Sequence, residues 1–320
     1  MRFQELSQAF TEYFNRKHFP DRPETLYGAA SYMLEDGGKR IRPLLCLMGN
    51  ELFGPIQPDT WKIATALELF HNFTLIHDDI MDKAPLRRGR QTVHAKYNES
   101  TALLAGDVML LQSYEYLNDT DPKYVRLLIR VLNKTGAEVC EGQQMDMDFE
   151  QRDAVGLDDY LQMIELKTAV FLAASLRMGA MVAGAGEEDQ DHIYAFGKNL
   201  GLAFQVQDDW LDSFGNPSTF GKQLGGDILA NKKTFLLLKA LENAGPSEKK
   251  IIRELQTSPQ PDKVERMIGM YRQTRVDQAA QEAKKNYMEK AYMHLRSIRV
   301  SEKNMEPLKE LAAYLLERDI

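Results

Sequence analysis

The pentad Asp78-Asp79-Ile80-Met81-Asp82 returns later in the chain as Asp208-Asp209-Trp210-Leu211-Asp212, and each copy closes a strongly apolar stretch, Leu67–Ile80 and Leu200–Leu211. On a helix the last aspartate stands i+4 from the first and i+3 from the second. The spacing therefore predicts carboxylates crowded on one side, with Cβ atoms ~5–6 Å apart. Like charges so placed repel, by roughly a few tenths of a kcal/mol when exposed and by more when desolvated. One such pentad is compatible with a solvated helix face. Two copies set among core residues are costly without ligands, so a cation is expected at each. Oxygen donors with no histidine or cysteine beside them suit a hard, octahedral ion such as Mg²⁺, which keeps waters and is completed by substrate phosphates.

The remainder reads as helix. Apolar side chains recur at three- and four-residue spacing, as in Ile63, Leu67, Phe70, Thr74 and in Tyr160, Ile164, Lys167, Phe171, while alternating strand patterns are scarce. Pro20, Pro23, Pro55, Pro58, Pro122, Pro246 and Pro259 separate the segments, where a missing N–H and a fixed φ are tolerated. The segments are long for globular helices and predict an all-α bundle around a deep interior. With 43% apolar residues among 320, the chain can fill such a core. No linker, repeat or shift of composition marks a boundary, so one helical domain over 1–320 is expected. Lys249-Lys250 and Lys284-Lys285, with interleaved Glu and Arg, read as solvated helix faces.

The balance of 40 basic and 47 acidic residues, net −7, excludes general nucleic-acid affinity, which needs a positive field. The N-terminus has an acid and a glutamine where a signal peptide would be apolar, and no run approaches ~18 apolar residues. A cytoplasmic protein without stable membrane insertion is expected. Cys46 and Cys140 read as buried thiols, and no Cys/His grouping has zinc spacing.

Cations are local. Gly37-Gly38-Lys39-Arg40-Ile41-Arg42-Pro43, Lys83-Ala84-Pro85-Leu86-Arg87-Arg88-Gly89-Arg90 and Gly221-Lys222-Gln223-Leu224-Gly225-Gly226-Asp227, followed by Asn231-Lys232-Lys233-Thr234, join basic side chains to glycines. Arginine forks match phosphate oxygens and glycines admit close backbone approach. Beside two metal motifs these clusters imply a diphosphate gripped by Mg²⁺ on one side and by Arg and Lys on the other. Lys167, on a mostly apolar helix, is a poor core residue unless paired. His77 and His94 read as ordinary satisfied side chains.

Taken in order, Gly37-Gly38-Lys39-Arg40-x-Arg42-Pro43, His71, Asp78-Asp79-x-x-Asp82, Arg87-Arg88-Gly89, Gly142-Gln143-x-x-Asp146, Lys167-Thr168, Phe204-Gln205-x-x-Asp208-Asp209-x-x-Asp212 and Gly221-Lys222-x-x-Gly225-x-Asp227 resemble the trans-isoprenyl diphosphate synthases over most of the chain. The resemblance implies an all-α fold with the aspartate motifs facing each other across a cavity, usually as a homodimer. It implies Asp78, Asp82 and Asp208 as ligands of Mg²⁺, three ions per site, with Asp79, Asp209 and Asp212 as further or outer contacts. It implies Arg87, Lys167 and Lys222 on the allylic diphosphate, and Lys39, Arg42, His71 and Arg88 around isopentenyl diphosphate. Thr168 and Gln205 look like the polar groups whose oxygens face the developing cation.

Product length is expected to depend on the residues before the first motif. Phe73 lies five positions before Asp78, and in this family an aromatic there tends to limit products to short chains. Thr74 departs from the doubly aromatic pattern of many farnesyl diphosphate synthases. The expectation is therefore geranylgeranyl diphosphate (C20) over farnesyl diphosphate (C15). A terpene cyclase is disfavoured because the second motif is fully aspartate. A head-to-head synthase is disfavoured by the Lys39/Arg42 pocket, which has a cosubstrate to serve. A non-catalytic subunit of a heteromeric synthase is disfavoured because both motifs are intact.

Overall fold

The apolar periodicity becomes helix almost throughout. A computed structural model describes residues 2–35, 37–152, 154–215, 224–257 and 260–316. In order run α1 (Arg2–Phe14), α2 (Glu24–Leu34), α3 (Ile41–Glu51), α4 (Pro58–Met81), β1 (Leu86–Arg87), β2 (Arg90–Gln91), α5 (Val93–Lys96), α6 (Glu99–Asn118) and α7 (Pro122–Gln151). Next come α8 (Leu157–Ile164), a π-helical turn (Glu165–Ala169), α9 (Val170–Val182), α10 (Glu187–Phe214), α11 (Gly226–Leu229) and α12 (Phe235–Asn243). The chain closes with α13 (Pro246–Thr257), α14 (Lys263–Gln273), α15 (Val276–Ser297) and α16 (Glu302–Leu316). Pro58, Pro122 and Pro246 open their helices, at the position where the absent N–H costs nothing. Pro307 lies within α16 instead.

By backbone contacts the chain divides into two compact units. The first comprises Met1–Thr135, Ala174–Tyr194 and Arg299–Leu308; the second comprises Gly136–Ala173, Ala195–Ile298 and Lys309–Ile320.

In the first unit α4 is the central helix, packed against α3 and α6. Ile63, Ala64, Ala66, Leu67, Leu69, Phe70 and Ile76 are all buried along it. A helix apolar on nearly every side belongs in a core; apart from the buried Glu68, it carries no Asp, Glu, Lys or Arg from Ile63 until its end, where Asp78, Asp79 and Asp82 stand. In the second unit Phe149, Tyr160, Met163, Leu202, Val206, Phe235, Met267 and Tyr271 belong to one apolar cluster. The acidic motif of α10 lies beside that cluster, with Val206 in the core two residues before it.

Two local expectations change. Cys46 is buried, but Cys140 is exposed. Lys284 is not a purely solvated lysine: its Nζ donates to Gln207 Oε1 at 2.7 Å, and Gln207 is buried. Its long aliphatic stem lets the ammonium reach inward from α15.

Candidate active site

The first motif straddles a helix end. Asp82 is the C-cap of α4, its N–H bonded to the Asp78 carbonyl at 2.8 Å. Lys83 then takes φ +50° and Ala84 N–H returns to the Asp79 carbonyl at 3.0 Å, closing the terminus. The three carboxylates do not share one environment. Asp79 is 2% exposed and accepts two hydrogen bonds of 2.8 Å from Arg87, Nε to Oδ2 and Nη2 to Oδ1. Asp78 is half-buried and Asp82 exposed. The physical reason is that consecutive helical residues do not share a face. Near a helix C-terminus the macrodipole opposes both outer carboxylates, which raises their demand for a cation.

Arg87 reaches Asp79 from a two-residue hairpin, an element absent from the all-helical expectation. β1 and β2 pair antiparallel, with Arg87 opposite Arg90, across Arg88 (φ +51°) and Gly89 (φ +79°). Positive φ at both central residues is the type I′ geometry that suits a tight hairpin. Arg88 is exposed, and its guanidinium lies over Gly38, where a Cβ would approach Nη1 to 2.6 Å.

Arg42 Nη1 lies 3.0 Å from His71 Nε2. Guanidinium only donates, so that ring nitrogen accepts and the ring proton sits on Nδ1. Burial first, then Arg42, Arg88 and Arg87, hold the His71 pKa well below its ordinary value. His71 is therefore neutral and orients Arg42. Burial pushes Arg42 down to about 10, which leaves it charged near neutrality.

Glu68, one turn earlier on α4, is buried, and its Oε1 accepts from Asn72 Nδ2 at 3.2 Å. Burial pushes its pKa up while Arg40, Arg42 and Arg88 pull it down. Arg40 opens α3 at φ +47°, its guanidinium 4.9 Å from the Phe14 ring centre. Lys39 is exposed. Sequence reading missed Glu68; an acid three residues before His71 on an apolar face was the available signal.

The second motif lies inside α10. Asp208 is half-buried, while Asp209 and Asp212 are buried. Asp209 Oδ2 accepts from the Tyr160 hydroxyl at 2.5 Å and from the Phe235 N–H at 2.8 Å, and Oδ1 accepts from Gln205 Nε2 at 3.3 Å. Burial pushes Asp209 up to about 7, against the pull of those donors. Asp212 Oδ2 accepts from the Asp227 N–H at 3.2 Å, and its carbonyl accepts from Gly225 N–H at 2.7 Å. The motif thus holds the start of α11. Lys222 lies outside the described residues.

Lys167 and Thr168 sit in the π-helical turn, a distortion common at functional sites. Gly142 of α7 makes room for it, since a Cβ there would come 2.3 Å from Lys167 N. Lys167 has the partner its setting demanded, with Nζ 2.5 Å from Asp146 Oδ2. Asp146 was part of a quoted motif but carried no assigned role. Thr168 and Gln205 are half-buried.

Phe73 stands edge-on between Phe70 (5.3 Å) and His77 (4.9 Å). Thr74 folds its hydroxyl back onto the His71 carbonyl at 2.7 Å. His77 Nε2 is 3.2 Å from the Leu103 carbonyl of α6.

Among the described residues no three His, Cys, Asp or Glu side chains converge as a self-sufficient metal cage.

Residues 23–273 match the Polyprenyl synthetase family. The chain belongs to that family. As a polyprenyl synthetase it is a prenyltransferase. It is 38% identical to a geranylgeranyl pyrophosphate synthase of Geoglobus acetivorans, covering 93% of this chain and 92% of the relative. It is 36% identical to a geranylgeranyl diphosphate synthase of Saccharolobus solfataricus, covering 98% of each. Among solved structures, a crystal structure of a geranylgeranyl pyrophosphate synthase superposes with a TM-score of 0.93 at 40% identity, covering 99% of each chain. Among the described residues no helix is long and apolar enough to cross a membrane.

Proposed function

We propose that this polyprenyl synthetase condenses isopentenyl diphosphate head-to-tail with allylic diphosphates to give geranylgeranyl diphosphate (C20), the whole chain acting as one catalytic domain. The observation that carries this is the contact between α3 and α4: neutral His71, on the helix that leads into Asp78 and Asp82, orients the charged Arg42 of α3. One helix thus supports a metal-free anion pocket through His71 and ends in a cation-demanding terminus, as a reaction with two diphosphates requires. The C20 product is supported by the two relatives' names and by Phe73, a bulky ring held between Phe70 and His77.

Asp78, Asp82 and Asp208 would hold Mg²⁺, with Asp212 beside Asp208. Bound there, Mg²⁺ supplies charge neutralisation for a departing diphosphate. Arg87 and Lys167, each already steadied by a carboxylate, grip the allylic diphosphate, with Lys222 beside them. Lys39, Arg42 and Arg88 hold the isopentenyl diphosphate. Ionisation of the allylic C–O bond leaves a carbocation, which the isopentenyl double bond attacks at near-attack distance. Loss of a proton to the released diphosphate restores an allylic product. Thr168 and Gln205 turn oxygens toward the transient cation, and exclusion of water prevents its capture.

A homodimer is the fitting assembly. On α6, Leu103, Leu104 and Leu111 are 49%, 54% and 65% exposed, an apolar face suited to a second copy. Light scattering of wild type and of Leu104→Glu/Leu111→Glu tests it; a monomeric wild type would overturn it.

The deciding assay mixes purified protein, Mg²⁺, isopentenyl diphosphate and either dimethylallyl or farnesyl diphosphate, and sizes the products. A C20 prenyl diphosphate is expected. Product stopping at C15 would overturn the length assignment, and no condensation at all would leave the non-catalytic subunit.

A further inference from the structure

An amide side chain has two nearly isosteric ends of opposite polarity, and a cation distinguishes them sharply. Gln205 lies one turn before Asp209 on α10, with Nε2 3.3 Å from Asp209 Oδ1. Asp209 has its other oxygen, Oδ2, filled by two donors, the Tyr160 hydroxyl at 2.5 Å and the Phe235 N–H at 2.8 Å. Those donors come from α8 and from the first residue of α12. In that contact Gln205 Nε2 is the donor and Asp209 Oδ1 the acceptor. The Gln205 amide thus turns its NH₂ toward Asp209 and its carbonyl oxygen away.

We propose that Asp209 and Tyr160 are positioning residues that fix the polarity of Gln205, so that the electron-rich end of the amide faces the allylic carbon as it ionises. This rests on the prenyltransfer reading above, in which Gln205 faces the cation. It gives Asp209 a task distinct from metal ligation and gives Tyr160 a part in the reaction. The arrangement is over-determined in the way a functional dipole requires: Tyr160 and Asp209 are both buried, and three donors converge on one carboxylate. Such preorganisation is what makes a dipole effective, since nothing must reorient during the reaction.

Asparagine at the aspartate position makes a sharp test. The Tyr160 hydroxyl and the Phe235 N–H both need an acceptor, so Asp209→Asn keeps its oxygen on their side and puts its NH₂ toward Gln205. Gln205 then reverses, presenting its NH₂ to the cation. Asp209→Asn is expected to lower kcat roughly 100-fold, Gln205→Leu roughly tenfold, and the double variant to recover to within about threefold of Gln205→Leu. The KM for both diphosphates and the half-saturating Mg²⁺ concentration are expected to stay within about twofold of wild type.

Should Asp209→Asn fail to fold, Tyr160→Phe is the second probe. Its kcat is expected to fall about fivefold, and that loss is expected to vanish in the Gln205→Leu background. A double variant slower than both singles, a Tyr160→Phe loss that persists without Gln205, or a several-fold rise in Mg²⁺ requirement in Asp209→Asn would each overturn the proposal. These outcomes are read against a wild type that makes prenyl diphosphate; a wild type that makes none sinks the function itself.

Discussion

The two Asp-Asp-x-x-Asp motifs share a sequence but not a setting. In both, the middle aspartate turns inward and is consumed by the protein: Asp79 by the fork of Arg87, Asp209 by Tyr160, Phe235 N–H and Gln205. The first aspartate of each is half-buried. The third differs. Asp82 caps a helix end and is exposed, whereas Asp212 is buried and bound to the turn that starts α11. The first motif answers its inner charge with an arginine and the second with neutral donors, which is why burial drives Asp209 up to about 7. Identical pentads can therefore hold their inner carboxylates with entirely different partners.

The largest effect should come from the outer aspartates. Asp78→Ala and Asp208→Ala are each expected to cut kcat on the order of 10²–10³-fold and to raise the Mg²⁺ needed for half-maximal rate. An equal rise in Mg²⁺ requirement in Asp79→Asn would break the division between inner and outer residues. At the level of stability, Asp79→Asn is expected to cost about 1–3 kcal/mol by urea denaturation, because it leaves a half-buried guanidinium unmatched. Adding Arg87→Met should cost little more; strict additivity would show that the pair is not coupled.

Under the proposed function, chain length is set on the first motif's helix, at Phe73. Phe73→Ala is expected to lengthen the main product by one or more isoprene units, whereas Gln205→Leu slows the reaction without changing length. Unchanged products from Phe73→Ala would remove that ring as the stop.

The smallest effect concerns His71. Its pKa in the folded state lies well below the unfolded value, so the native state refuses a proton that the unfolded chain accepts. The His71 contribution to stability should therefore be lost as pH drops below ~6.5, by at most about 1.4 kcal/mol per pH unit, while Asp209, raised by burial, acts in the opposite direction. His18, lowered by its own burial, acts in the same direction as His71. His71→Asn is expected to flatten the decline between pH 6.5 and 5 in denaturation curves; an unchanged slope would place the effect elsewhere.

Periodicity made the helices legible, and repetition made the aspartate motifs legible, because both depend on spacing alone. Lys167 could be marked as needing a partner, since an ammonium among apolar residues has few alternatives. The partner itself, Asp146, comes from another helix brought close by Gly142. Arg87-Arg88-Gly89 was visible as a basic cluster, but not as a hairpin that sends Arg87 back to Asp79. Tyr160 was legible only as one more residue of an apolar stripe, because its hydroxyl finds Asp209 49 residues away.

Sequence by itself determined the all-α class, the repeated acidic pentads, the cationic segments and the family to which they point. Only the tertiary structure decided which aspartates face outward, that His71 is neutral, and which end of Gln205 is turned away from Asp209. Spacing along one helix fixes the angle at which a side chain leaves the backbone, but the groups that meet it there come from elements distant in the chain.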